Sequence, residues 1–170
     1  MRKVSVILTT YNSQHQIQDV LDSILNQKGI GELFDLELLV VDDCSKDKTT
    51  NILLENDINF MVTEYNTGGP NCGRNLALSK CSGDYICIVD HDDVWFANKL
   101  QKLLSVSNIA PIVTSGYILS DSSSSQEYRR VNKSTNKQGY IEYKRNETFK
   151  SKLIKSKKGQ HTYLGSILFH

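Results

Sequence analysis

The sequence predicts an α/β protein, a three-layer α/β/α sandwich around a mostly parallel central sheet. Three observations lead there. Segments of strand and helix character alternate along roughly the first two-thirds of the chain, the pattern of consecutive strand–helix–strand units. The strand segments are nearly continuous apolar runs, as expected of parallel strands covered on both faces. Three of them run straight into polar clusters: Thr9 to Asn12, Asp42-Asp43 and Asp90 to Asp93. A parallel sheet brings such strand ends to one edge, where open α/β sheets bind their ligands.

In chain order, Val4 to Thr9 is the first strand, broken by the hydrogen-bonding turn residues Thr10 to Ser13. Ile17, Val20, Leu21, Ile24 and Leu25 then recur at helical spacing on one stripe, which Gly29 and Gly31 end. Leu36 to Val41 is the second strand. Ser45 or Asp47 caps the next helix, which runs to Glu55 with Ile52 and Leu53 inward. Asn59 to Thr63 reads as a third strand and Asn66 to Pro70 as a loop. A helix follows through Arg74, Leu76, Ala77 and Leu78, then the Tyr85 to Val89 strand, a short helix over Asn98 to Leu104, and one further strand over Ile112 to Leu119. Beyond it the texture changes. Ser120 to Ser125 is low in complexity, Tyr140 to Tyr143 is a short strand, Glu147 to Ile154 a helix, and Gly165 to Phe169 a last strand. The expected organisation is one domain over residues 1–170, with 1–119 a core and 120–170 a looser segment. A chain that stops on an apolar strand reads as part of a longer one.

Net charge is +1 but uneven. Residues 1–105 hold 9 Lys/Arg against 15 Asp/Glu, whereas residues 121–160 hold 11 against 4. The basic 129–158 region could face an anionic partner, a phosphorylated acceptor or a membrane surface, or could be a solvated lysine-rich stretch. No nucleic-acid partner is expected. No apolar run approaches the roughly 20 residues that span a bilayer, and a cytoplasmic protein is expected, with the inner face of the membrane as its nearest surface. Cys44, Cys72, Cys81 and Cys87 form no Cys-x-x-Cys pair, so reduced thiols are expected.

Asp90-His91-Asp92-Asp93 packs three carboxylates into four positions. Like charges this close need a cation. Asp-x-Asp at a strand end suits Mg²⁺ or Mn²⁺ held by one or two carboxylates and completed by water and substrate phosphates. A solvated acidic turn is the other reading. His91 points away from Asp90 and Asp92 on an extended backbone, and a lone His161 carries no pattern of its own.

These residues resemble family 2 glycosyltransferases of the nucleotide-sugar-binding fold called GT-A. The resemblance covers residues 3–105 well and the remainder loosely. Val4 to Asn12 resembles the family's opening strand and its Tyr-Asn turn, with Thr9 where Pro is frequent. Val40-Val41-Asp42-Asp43-Cys44-Ser45 resembles Val-Asp-Asp-Gly-Ser, with Cys44 in place of Gly. Asn66 to Asn75 resembles the Asn-x-Gly…Arg-Asn element, and Asp90-His91-Asp92-Asp93 the Asp-x-Asp-Asp element. The resemblance implies that Thr9, Tyr11 and Asn12 meet the nucleotide. It implies that Asp43, or its neighbour Asp42, accepts the imide N–H of uracil, which favours a UDP-sugar donor. Arg74 would close over the nucleotide, Asp92 would hold the ribose or metal, and Asp90 and Asp93 the metal, Mn²⁺ or Mg²⁺, whose Lewis acidity stabilises the departing UDP.

Plainer readings stand beside these. Tyr11 could pack on the first helix, Asp42 could cap backbone amides, and Arg74 could form an ion pair with Asp43. The acceptor implied is a saccharide or lipid-linked saccharide, in bacterial surface-polysaccharide synthesis. The base that deprotonates its hydroxyl lies, in the family, beyond the strand that Gly165 to Phe169 resembles, and so beyond His170; donor binding with little transfer is the expectation for these 170 residues. Two other α/β readings fit less well. A receiver-like module keeps its acid pair at the first strand, where this chain has Thr10-Tyr11-Asn12. A nucleotidyltransferase needs a glycine-rich, arginine-bearing loop there, and Thr10 to Gln14 has no glycine.

Overall fold

From Val4 to Thr10 every residue of the first strand is buried, so β1 (Arg2–Thr10) must be covered on both faces and flanked on both sides. The computed structural model describes residues 1–108, 112–115, 117–120, 125–128 and 167–169, and shows how this is met. β1 pairs in parallel with β2 (Phe34–Asp42) on one side and β4 (Tyr85–Asp90) on the other. β3 (Phe60–Val62) extends the sheet beyond β2. β8 (Ile167–Phe169) lies antiparallel between β4 and β5 (Ile112–Thr114). Among the described residues the sheet runs β3-β2-β1-β4-β8-β5.

The two-residue side-chain period of a strand sorts the core into two sets. Val4, Val6 and Leu8 of β1, Val40 of β2, and Tyr85, Cys87 and Val89 of β4 face one layer. There they meet α1 (Ile17–Leu25), α2 (Thr49–Glu55) and α4 (Lys99–Leu104) through Ile17, Val20, Leu21, Ile24, Leu53, Leu100, Leu103 and Leu104. Ile7, Val41, Ile86 and Ile88 face the other, where Ala77 and Leu76 of α3 (Pro70–Leu78) pack. This is the three-layer arrangement expected.

Several elements differ in detail from the sequence reading. Leu25 is 42% exposed; at 100° per residue it lies about 80° round the helix from Ile17, at the margin of the stripe. α1 stops at its C-cap Asn26, ahead of the glycines, and Gly29 and Gly31, with φ of 95° and 77°, turn the chain towards β2 instead. Ile112 to Leu119 is not one strand. Its first part is β5, in the main sheet, and its second is β6 (Tyr117–Ser120), which pairs antiparallel with β7 (Ser125–Tyr128). Ser115-Gly116, a turn-type pair inside the expected strand, lies between the two. The chain divides into two compact units, Met1–Ser115 with Leu164–His170, and Gly116–Tyr163. The expected strand at Tyr140 to Tyr143, the helix at Glu147 to Ile154, the basic 129–158 region and His161 lie outside the described residues. Among the described residues no helix is long and apolar enough to cross a membrane.

The amino-terminal half of the sheet is pinned by Glu37 of β2. Its carboxylate accepts from Lys3 Nζ at 2.7 Å, Ser5 Oγ at 2.5 Å, Ser82 N at 2.9 Å and Ser82 Oγ at 2.5 Å. Burial raises its pKa, but the hydrogen bonds from Lys3, Ser5 and Ser82 outweigh that and lower it to about 2. Gly83 passes so close that a Cβ there would lie 2.6 Å from Ser5 N and 2.9 Å from the Lys3 carbonyl.

Two expectations follow for stability. Gly83→Ala must displace backbone, and should lower the unfolding free energy in urea by about 2 kcal/mol. Because the pKa of Glu37 is depressed on folding, its contribution is full above about pH 4.5 and fades as the pH falls towards about 2. Acid titration of the melting temperature should therefore show a steeper drop in the natural chain than in Glu37→Gln across that window.

Candidate functional site

The strand register places the three polar clusters side by side. Thr9 is level with Val41 on one side and Asp90 on the other, and Thr10 is level with Asp42. Asp42 and Asp90 are thus separated by one intervening strand, about 10 Å at two strand spacings. The edge belongs to the first compact unit alone.

Asp42 is fully buried. An ionised carboxylate there requires donors, and it has three: Thr10 Oγ1 at 2.9 Å, Ser45 N at 2.8 Å and Ser45 Oγ at 2.5 Å. The chain leaves β2 through Cys44 in the left-handed region, φ 61°, a conformation that favours glycine. The Cys44 thiol donates to the Thr63 carbonyl at 3.2 Å. Asn12, also left-handed at φ 48°, donates its N–H to Ser45 Oγ and accepts from Lys46 N through its side chain. Asp47 joins the same two loops, accepting from Gln14 N at 3.0 Å and from Thr49 N at 2.9 Å in the first turn of α2. Neither residue expected to cap α2 is its N-cap, which is Lys48: Asp47, one residue earlier, accepts from Thr49 N, and Ser45 turns back to Asp42.

Asp43 has a different set of partners. Its carboxylate accepts from Thr63 Oγ1 at 2.7 Å, Thr67 N at 3.0 Å and Thr67 Oγ1 at 3.0 Å, and its carbonyl accepts from Asn66 Nδ2. Burial alone would raise its pKa; the donors from Thr63, Thr67 and Gly68 outweigh that and hold it below the ordinary aspartate value. Asp43 therefore stays anionic and draws the Asn66 to Gly69 loop over the end of β2.

α3 then delivers Arg74. Gly73 lies so close to the strand ends that a Cβ would meet Thr9 Cγ2 at 3.0 Å and Val41 Cγ1 at 3.3 Å. This approach sets Arg74 beside β4, where its Nη2 donates to Asp90 Oδ1 in a half-buried ion pair. The partner is Asp90, not Asp43. The Arg74 Nε is buried with no hydrogen-bond partner among the described residues. After β4 the chain turns, Asp93 N donating to Asp90 O at 3.0 Å. Asp92 is exposed and His91 half-buried on this turn. Trp95 then dives into the core, with Lys99 Nζ 5.0 Å from its ring centroid. Burial pushes the Lys99 ammonium down to about 8, against the opposing pull of Cys87 and Asp93. Burial likewise pushes the Cys87 thiol up to about 12, which leaves it inert.

The edge thus brings together Thr9, Asp42, Asp43, Arg74 and Asp90, with Tyr11 and Asn12 exposed on the turn after β1. Tyr11 is 43% exposed and is not packed away on α1. Asp90, Asp92 and Asp93 do not stand ready as a three-ligand cage; among the described residues no such group exists. Asp90 is held by Arg74 and Asp92 faces outward. Sequence reasoning missed Thr63, Thr67 and Lys99. A hydroxyl directly before a Gly-Gly-Pro turn, as at Thr67, is an ordinary loop feature, and nothing local marks it as an aspartate's partner.

The ion pair of Arg74 with Asp90 gives a direct expectation. Arg74→Ala leaves a half-buried carboxylate without its cation and should cost about 2 kcal/mol in urea unfolding. Asp90→Asn in that background should restore about half of it; strict additivity in the double-mutant cycle would show that the pair does not couple.

The family model described as "Glycosyl transferase family 2" matches residues 5–164. The poly(ribitol-phosphate) beta-N-acetylglucosaminyltransferase TarS of Staphylococcus aureus is 42% identical over 97 residues, 55% of this chain and 17% of that protein. Solved structures of TarS residues 1–349 with UDP and with UDP-GlcNAc align at TM-score 0.57 and 34% identity, covering 65% of this chain and 34% and 33% of those chains. The UDP-Glc:alpha-D-GlcNAc-diphosphoundecaprenol beta-1,3-glucosyltransferase WfgD of Escherichia coli is 39% identical over 106 residues, 61% of this chain and 40% of that protein. The mannosyltransferase PcManGT of Pyrobaculum calidifontis, solved with GDP-Man and Mn²⁺, aligns at TM-score 0.55 and 25% identity, covering 62% of this chain and 32% of that one. The chain thus spans between a sixth and two-fifths of the length of the curated relatives named here.

Proposed function

Because the chain belongs to glycosyl transferase family 2, we propose that it forms the donor-binding part of a glycosyltransferase that takes a nucleotide-sugar, a UDP-sugar above all, and passes the sugar to a hydroxyl of a saccharide or lipid-linked saccharide. The observation that carries this reading is the convergence of Thr9, Asp43, Arg74 and Asp90 on one sheet edge, with exposed Tyr11 and Asp92 beside them. TarS structures with UDP and UDP-GlcNAc favour UDP. Residues 1–119 would hold the donor and 120–170 would lie on the acceptor side. A cytoplasmic position at the inner face of the membrane suits a lipid-linked acceptor such as the one in the name of WfgD.

The roles follow from the chemistry of each group. Tyr11 offers a ring face to the base. Asp43, kept anionic, offers its remaining lone pairs to the uracil imide N–H, which cytosine lacks. Asp42 has no exposed surface; it acts through the loop it holds, as does Asn12. Arg74 carries positive charge, and a buried Nε without a hydrogen-bond partner among the described residues, to the diphosphate side of the edge. The acids at the end of β4 fit a hard divalent ion that takes one or two carboxylates and completes its shell with diphosphate oxygens. Asp92, exposed, and Asp93 would hold it, and Asp90 would join on release from Arg74. Such an ion offsets the charge of the departing nucleotide. No residue among these is assigned to proton removal from the acceptor, since each is engaged with the donor.

Calorimetry with UDP, in the presence and absence of Mn²⁺, tests the reading. Metal should tighten UDP binding by about tenfold or more, near 1.4 kcal/mol. Asp92→Ala should abolish that gain and leave metal-free binding nearly unchanged. Folded protein that binds no UDP under either condition would overturn the proposal. In a thermal-shift series with UDP, GDP, CDP and dTDP, UDP should give the largest rise.

A further inference from the structure

Gln27 lies at the far end of the first helix from any expected ligand, and it is only 4% exposed. A buried amide has to place two donors and an acceptor. Its Nε2 donates to the Ser23 carbonyl at 2.9 Å, which ties it back to α1, and to the Phe96 carbonyl at 2.9 Å. Its Oε1 accepts from Leu100 N at 3.0 Å. The neighbouring Lys28 N donates to the Ala97 carbonyl at 2.7 Å. Three hydrogen bonds, all to backbone groups, therefore run from the end of α1 to residues 96–100. That segment begins three residues after Asp93, about 10 Å of chain at full extension.

The acidic turn is thus held at both ends. Asp90 belongs to β4 and pairs with Arg74. At the other end Trp95 is buried, and Phe96 is pinned by Gln27 although its own side chain is 68% exposed. Trp95 and Leu100 anchor the segment in the core on either side of Phe96, whose ring is exposed, and the bonds from Gln27 and Lys28 fix the backbone between those two anchors. We propose that Gln27 is a positioning residue for the Asp90–Asp93 turn: it fixes the distance between Asp92-Asp93 and the strand ends, and so sets how well the turn holds a divalent cation. This rests on the donor-site reading above. Groups hydrogen-bonded behind a metal's ligands tune its affinity without touching the ion; Gln27 would act one step further out, through the backbone that carries Asp92-Asp93.

The test uses the full chain with Gln27→Met, nearly isosteric and unable to make any of the bonds, and Gln27→Glu, which keeps the acceptor for Leu100 N and loses the donor to Phe96 O. Amide hydrogen exchange is read at Leu100, which Gln27 bonds directly, and at Asp93, whose N–H closes the acidic turn on Asp90. In Gln27→Met both amides should exchange about tenfold faster or more, and the Mn²⁺-dependent gain in UDP affinity should fall about tenfold, while UDP affinity in EDTA changes by less than about twofold. Gln27→Glu should keep Leu100 protected and loosen Asp93, and it decides the matter alone should Gln27→Met not fold. Loss of protection at Leu100 with Asp93 unchanged would confine Gln27 to helix packing and overturn the proposal. So would equal losses of UDP binding with and without metal. If the natural chain shows no metal-dependent UDP binding, the donor-site reading fails, and the Asp93 amide still decides whether Gln27 restrains the turn.

Discussion

One buried carboxylate organises the working edge of this protein. Asp42 has no solvent, so it must be given donors, and the residues that supply them are the ones that shape the loops. Thr10 is fixed to it from β1 and Ser45 from the following turn. To bring Ser45 back, the chain passes through Cys44 in a left-handed conformation, a strain that non-glycine residues carry at a cost of roughly 1 kcal/mol. Ser45 in turn receives Asn12, and Asp47 receives Gln14. The β1–α1 and β2–α2 loops are therefore tied together, and what they display is placed relative to Asp42.

A second constraint acts from the opposite face. The absence of a side chain at Gly73 lets α3 approach within contact of Thr9 and Val41. Arg74 arrives half-buried at the end of β4 and meets Asp90. The acids of the edge are thus treated differently. Asp42 and Asp43 are satisfied by hydroxyl and backbone donors, Asp90 by a guanidinium, and Asp92 is left to solvent. A group of like charges that looked equivalent along the chain is divided by its surroundings into buried, ion-paired and solvent-exposed members.

Much of this was legible in the residues. The apolar run of β1, the stripe Ile17-Val20-Leu21-Ile24 and the three polar strand ends give the layers, the parallel pairing and the edge, because each depends on periodicity along a few residues. Other features were not legible. Leu25 sits at the stripe margin, where exposure depends on what packs alongside. The break between β5 and β6 falls at Ser115-Gly116, a turn signal that does not by itself say which strand pairs on either side. The pairing of Arg74 with Asp90 rather than Asp43, and the bonds of Gln27 across some seventy residues to Phe96 and Leu100, join groups that share no local signal.

The sequence by itself therefore determined the class of fold, the order of its elements from β1 to α4, and the polar strand ends that a parallel sheet brings to one edge. These follow from burial patterns that each segment carries alone. Only the tertiary structure decided which carboxylate is buried and which faces outward, which one the arginine neutralises, and what holds the acidic turn in place. Those outcomes depend on distances between residues far apart in the chain, and hydrogen bonding and charge pairing act over a few ångströms of space whatever the separation along the backbone.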